Sequence, residues 1–521
     1  MNTSTLQPFS KRSVAMLLPL LSAFACNDLD VPAYDKVADF WLTPGQIEQG
    51  VAQAYVQFRS YAPGFQGDAN AYYLQEATTD EIIVPVRAGN WIDGGYWEEL
   101  WKHQWTPNSQ SVQDGWKFIF NGVDGINLIV QSLKKLPDGE VKYRGLIAEM
   151  RTLRAFYYYQ ALDLFGSVPI VEEPGVSAYE VATRSREEVF AYVERELKEN
   201  LPLLTSAVNV ETYGRATQWL VHALLAKLYL NAEVYTGKPR WADCVAACDA
   251  ILNSGMYVLE DDFFKNFAVN NESSRENIFA IPFDFTNNMG YFVIQLFTLH
   301  YKSGATFGLD GGGSNGPCST AEYLSLFDDN DRRREMFLVG QQYVGQIEDV
   351  DHMQFTDETP PVAISFDPVI TSFHIDPPKA QVAGARCAKW EFNKTGWHMS
   401  NDFAVFRLAD IILMKGEAQF RSGDVAAALN TINQKAGNVS IRSRASMPDF
   451  SMEDLNLEGL LAERARELSW EGHRRNDMIR FGHFTDVRIP EKDVSESYRT
   501  VFPIPKAEID KNKYLLQNPG Y

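Results

Sequence analysis

The stretch from Glu76 to Trp105 gathers side chains able to grip a small polar ligand. Arg87, Asn90, Trp91, Asp93, Tyr96 and Trp97 are set among Gly89, Gly94 and Gly95. Glycine accepts positive φ, so a loop built on it can hold a ring out toward solvent. A carbohydrate would use this mixture well. Its C–H faces stack on indole or phenol rings, and apolar burial is worth roughly 25 cal/mol per Å². Its hydroxyls need Asp, Asn, Arg or backbone partners, because a buried polar group left unpaired costs about 1–3 kcal/mol. Packing of the same rings onto the core is the competing use. The glycines lack the GxGxxG spacing and do not lead from a strand into a helix, which argues against a phosphate cradle.

Two further stretches have similar character. Residues 60–72 are turn-rich and carry Asp68 and Asn70 between glycines and aromatics. Arg386 to Trp397 sets Arg386 and Lys389 beside two indoles, Trp390 and Trp397. No catalytic pattern stands out: HExxH, P-loop and CxxC are all missing. A glycosidase-type carboxylate pair is the only enzymatic alternative, and no acidic motif supports it. The expectation is therefore a protein that is not an enzyme and uses no cofactor or metal. The acids in Phe327–Arg334 lack the spacing of a calcium loop. Cys244 and Cys248, four apart on a helical segment, are poorly disposed to bridge, while Cys318 and Cys387 could be bridged or free.

Acidic residues outnumber basic ones by 68 to 48, a net charge of −20, and no basic run stands out. Nucleic acid, which needs a basic footprint, is not an expected partner. A neutral ligand suits so acidic a chain better than a polyanion does.

The elements that must position these loops are helical. Thr43-Pro44 opens a helix through Phe58 with a hydroxyl cap and proline at the first turn. Helices follow at about 110–135, 142–165 and 185–200, the last begun by the capping box Ser185…Glu188. Residues 215–254 and 403–436 each read as a helix pair with small residues at the crossing. The alternation resembles tetratricopeptide pairs, and about four pairs are expected to stack, since one pair cannot bury its apolar face alone. Between them, 255–402 is rich in Gly, Asn, Asp, Pro and aromatics. The segment Glu463–Gly482 has helical apolar spacing, with Arg464–Glu467 and Glu471–Arg475 placed for intrahelical ion pairs of roughly 0.2–0.5 kcal/mol each. Arginines crowd its glutamates and would keep them ionised, which argues against an acid–base pair.

The first residues read as targeting. Lys11-Arg12 precede the short apolar run Val14–Leu21, too short to span a bilayer, and Ser22-Ala23-Phe24-Ala25 leads to Cys26. A cysteine at that point suggests a lipobox, although Phe24 departs from the usual small residue. The expected organisation is a signal peptide at 1–25, a lipidated tether at 26–42, and a helical scaffold at 43–254 with ligand loops at 60–100. An irregular glycan-binding insert at 255–402 and C-terminal helices with a tail at 403–521 complete it.

Taken together, several segments resemble the SusD/RagB family: Cys26 with Asn27-Asp28-Leu29-Asp30, Leu153–Tyr158 running to Pro169, Arg407–Asp410 to Glu417-Ala418, and Glu463–Gly482. The resemblance implies a mainly α fold, a tetratricopeptide-like scaffold carrying an irregular glycan-binding half. It implies a lipoprotein anchored at Cys26 in the outer membrane, seated on a SusC-like TonB-dependent transporter and capturing oligosaccharide or polysaccharide for import. The stretch around Trp91 resembles that of a family subgroup, which implies Trp91 as a sugar platform faced by the region of Cys318 and Arg386. A transporter-docked lid or scaffold for peptides or other nutrients is the alternative function.

Overall fold

A computed structural model describes residues 41–521, except 66–69, 176–179, 288–291, 346–353, 356–361 and 395–397. The proposed signal peptide, Cys26, Asp68 and Trp397 lie outside the described residues.

The chain is mainly helical, and the helices begin where local chemistry starts them. Thr43 accepts from Gln46 N–H while the Gln46 side chain returns to the cap, and Pro44 opens the helix Pro44–Phe58. Ser185 and Glu188 form the same reciprocal box at Arg186–Asn200. Such caps satisfy backbone donors that the first turn leaves open. Gln110–Lys135 packs on Arg144–Leu164, which packs on Arg186–Asn200. Gln218–Leu230 packs on Trp241–Leu252, which meets Leu408–Arg421, and that helix meets Val425–Ile432. Close approach is written in the small residues. A Cβ on Gly122 would fall 2.2 Å from the Tyr157 ring, and one on Gly416 2.6 Å from Ile432.

The second helix pair departs from the sequence expectation at its start. Phe403–Arg407 is a strand, antiparallel to Asn277–Ile281, and every residue of both is buried. A fully buried strand and a buried helical turn share the same continuous apolar pattern, so periodicity does not separate them. The remaining sheets among the described residues are two-stranded ribbons, mostly within 255–402. One hydrophobic core runs from Ile47 to Leu515 through helices and ribbons alike.

The segment Glu463–Gly482 is not one continuous helix. Leu457–Leu468 and Arg474–Phe481 are separated by a turn in which Trp470 (φ 62°) and Gly472 (φ 86°) are left-handed. The expected intrahelical pairs do not form: the turn separates Glu471 from Arg475, and within the first helix Arg464 and Glu467 each face buried partners of opposite charge from other segments. Arg464 instead pairs with Asp477 at 2.7 Å and Asp410 at 2.8 Å. Glu471 meets Lys389 and Arg407, both at 2.6 Å, and Arg475 meets Asp163 at 2.9 Å. Glu467 holds Arg333, Arg407 and Arg444 at once. These charges are buried. A buried ion costs several kcal/mol unless paired and hydrogen-bonded, and here each guanidinium has its carboxylate.

Candidate functional site

The loop that follows the two-residue strand Val86–Arg87 is held at both ends. Val86–Arg87 runs parallel to His374–Ile375, and the backbones of Arg87 and Asn90 exchange hydrogen bonds of 3.0 and 2.9 Å. Tight reversal demands left-handed backbone, seen at Ala88, Gly89, Trp91, Asp93, Gly94 and Gly95. Trp91, at φ 65°, has a bulky side chain in a conformation that disfavours it, and such strain concentrates at functional positions. Its half-buried ring is fixed on three sides. The indole N–H donates to the Ser314 carbonyl at 2.8 Å. Trp97 and Phe297 meet it edge-on at 6.0 and 5.5 Å. Gly316 lies under the ring, where a Cβ would come within 2.3 Å.

Opposite this loop the chain folds back on itself through Gly311-Gly312-Gly313. A Cβ on Gly312 would stand 2.0 Å from the Tyr301 carbonyl, and one on Gly313 1.8 Å from that of Leu299. Only glycine allows the two segments to lie so close. The result places Tyr301, 44% exposed, beside Ser314 and Asn315. Its hydroxyl donates to the Gln381 side-chain oxygen.

Arg87, Asn90, Trp91, Asp93, Tyr301, Ser314, Asn315 and Gln381 line one open cleft of about 390 Å³. That is within the roughly 300–1,000 Å³ usual for small-molecule sites. Two aromatic side chains, three amides, a hydroxyl, a carboxylate and a guanidinium form its wall. This is chemistry for stacking a flat apolar face and meeting hydroxyls around its edge.

The residues singled out from the sequence are not all brought together. Arg87, Trp91 and Asp93 line the cleft. Asp93 is exposed, with one carboxylate oxygen taking the Trp97 indole N–H at 2.7 Å. Arg386 is fully buried beneath the cleft, bound through its Nε and Nη2 to the Asn315 side-chain oxygen at 3.0 and 2.6 Å. Cys318 is buried under Arg87, whose Nη2 donates to its Sγ at 3.1 Å. It is a free thiol, as is Cys387.

Three others sit elsewhere. Tyr96 is 5% exposed and packs edge-on against Trp97 at 4.8 Å, and burial raises its phenol pKa well above the ordinary value. It is the first residue of a short helix whose apolar side must face the core. Trp390 is 2% exposed and stacks on Phe403 at 6.1 Å, a core ring. Asn70 is buried, donating to the carbonyls of Ser60 and Ala62 at 2.6 and 2.7 Å and accepting from Tyr72 N–H at 2.8 Å, so it staples its own loop. Asn90 was noted beside Trp91, but Tyr301, Ser314, Asn315 and Gln381 were not anticipated. The glycine triplet before Ser314 was the available signal.

Comparison with known proteins follows the same lines. Residues 380–521 match the family model described as "SusD family", and 48–230 match one described as "Starch-binding associating with outer membrane". The starch-binding protein SusD of Bacteroides thetaiotaomicron is 26% identical, the alignment covering 99% of this chain and 98% of that one. SusD-like protein P25 of Formosa agariphila is 25% identical over 96% and 98%. A laminarin-binding SusD-like protein superposes with a TM-score of 0.72 at 21% identity, covering 92% of this chain and 99% of its own. Surface glycan-binding protein A of B. thetaiotaomicron, solved with laminarihexaose, gives 0.69 at 20% identity over 91% and 99%. Both family-model matches and the curated relatives support a SusD/RagB assignment, and the fold is SusD-like.

Proposed function

We propose that this protein captures an oligosaccharide or polysaccharide in the cleft at Trp91 without cleaving it. It then delivers the glycan to a SusC-like TonB-dependent transporter in the outer membrane. Trp91 and Tyr301 present stacking surfaces, and Asn90, Asn315 and Gln381 present hydrogen-bonding groups for sugar hydroxyls. Lipidation at Cys26 would tether the chain to the membrane on which the transporter sits. The observation that carries this reading is the left-handed, half-buried Trp91, anchored by Ser314 and seated on Gly316 within an open polar cleft. The glycan-binding names of the relatives support the same reading. Calorimetry or affinity electrophoresis across a polysaccharide panel tests it. At least one glycan should bind, and Trp91→Ala should lower that affinity tenfold or more; binding that ignores the substitution would place the ligand elsewhere.

A further inference from the structure

The cleft is floored by two arginines whose charge is not answered. Arg87, Arg333, Arg386, Arg407, Arg464 and Arg475 are among the largest fully buried side chains. Arg333, Arg407, Arg464 and Arg475 each hold a carboxylate, at 2.8 Å to Asp331, 2.6 Å to Glu276, 2.7 Å to Asp477 and 2.9 Å to Asp163. Arg87 and Arg386 form no ion pair among the described residues. Their partners are backbone carbonyls, the Asn315 side-chain oxygen and the Cys318 sulfur. Arg87 Nη1 donates to the carbonyls of Ala380 and Ala383 at 2.9 and 2.8 Å, and Nη2 to Gly316 O at 3.3 Å and Cys318 Sγ. Arg386 donates to Asn315 Oδ1, to Ala383 O at 2.8 Å, to Gly384 O and to Gln381 O at 3.2 Å. The two guanidinium groups therefore share the Ala383 carbonyl. Burial and then the charge of Arg87 hold the Arg386 pKa well below its ordinary value. Burial, with Arg386 and Arg87 adding repulsion, brings His300 down to about 3, so the imidazole is neutral and relieves nothing.

A buried charge without a counter-ion is costly, and guanidinium remains protonated at any physiological pH. Arg87 lines the cleft, as do Asn315 and Gln381, which carry the Arg386 contacts. Asp93 is the one carboxylate among the described lining residues, and it is exposed and accepts from the Trp97 indole. The net charge of −20 argued for a neutral ligand. However, exposed charges are screened beyond about 8–10 Å in ordinary salt, while buried ones are screened far less. The local field in the cleft is thus set by its floor.

We infer that the cleft takes an acidic oligosaccharide, one whose uronate carboxylate supplies the missing counter-charge over Arg87 and Arg386. This rests on the reading of the cleft as a glycan site. The test uses oligosaccharides of galacturonate, mannuronate and glucuronate, each beside its own carboxyl-reduced form, with neutral glucans included, titrated calorimetrically into the purified protein. At least one acid should bind tenfold or more tighter than its reduced partner. Its affinity should fall several-fold between 50 and 500 mM NaCl. In Arg87→Gln the acid-to-reduced affinity ratio should drop toward one, while Arg87→Lys should keep most of it, with melting curves confirming that both variants fold. Neutral and reduced glycans that bind as well as the acids overturn the inference and leave the glycan site standing. Binding of none overturns both.

Discussion

The Trp91 indole rests on Gly316, with its N–H given to the carbonyl of Ser314 two residues earlier. One short segment therefore both supports the ring and fixes its rotation. Gly316 has no backbone need to be glycine, since its φ is not left-handed. Its role is to leave room for the ring. Gly316→Ala should displace the Trp91 ring, lower glycan affinity about tenfold and change the indole fluorescence. The melting temperature should move little, because the ring is already half-exposed. Unchanged affinity in that variant would show that the seat does not matter to binding.

Trp390 and Trp91 looked alike in sequence and should behave oppositely. Trp390 lies between Phe267, Phe292 and Phe403 in the core. Large-to-small substitution of a buried aromatic costs about 3–5 kcal/mol, so Trp390→Ala should lose that much in denaturant unfolding. Any folded fraction should bind glycan normally. Trp91→Ala should show the reverse pattern, weak binding with near-native stability.

Which ring points outward was not legible in the sequence for a physical reason. Trp91 and Tyr96 share one glycine-rich loop, and their fates depend on what packs behind them: Gly316 for one, the Trp97 ring for the other. Helix starts were legible because a cap is local; Thr43 and Ser185 need only residues three positions on. The break at Trp470 was not, because Glu471 is drawn away by Lys389 and Arg407, far off in the chain. Tyr301 was missed because the triplet at 311–313 acts by letting the backbone fold back against Leu299 and Tyr301, a close approach that no apolar period or cap announces.

Glu467 carries the densest part of the buried charge network. Its two oxygens take Arg444 at 2.6 Å, Arg407 at 3.0 Å and Arg333 at 3.1 Å, while its backbone carbonyl takes Arg407 again at 2.9 Å. Removing one member of such a cluster strands the others. Glu467→Gln keeps the shape and removes the charge, and should destabilise by about 3–5 kcal/mol. A neutral result in urea unfolding would mean that the three guanidinium groups are satisfied by Asp331, Glu276, Glu463 and Glu471 alone.

His473 makes stability depend on pH in a predictable direction. Burial, then the charge of Lys227, lowers its pKa to about 4, and Lys227 Nζ lies 3.2 Å from the ring Nδ1. The folded protein therefore keeps the imidazole neutral, while the unfolded chain binds a proton near pH 6.5. Between those values the unfolded state holds more protons, so stability rises with pH there. Acidification from about 6.5 to about 4 should cost up to about 3 kcal/mol through this residue, at 1.36 kcal/mol per pH unit. Glu276 acts in a lower window. Burial pushes its carboxyl up, but Arg444 and Arg407 more than reverse this and bring it to about 2, so its contribution is intact above about pH 4.5 and fades toward 2. The two windows can be separated by measuring urea unfolding from pH 7.5 to 3.5 in wild type and His473→Asn. The variant should lose up to one proton of slope between pH 6.5 and 4 and keep the slope below it. Identical slopes in the upper window would mean that His473 is not the titrating group.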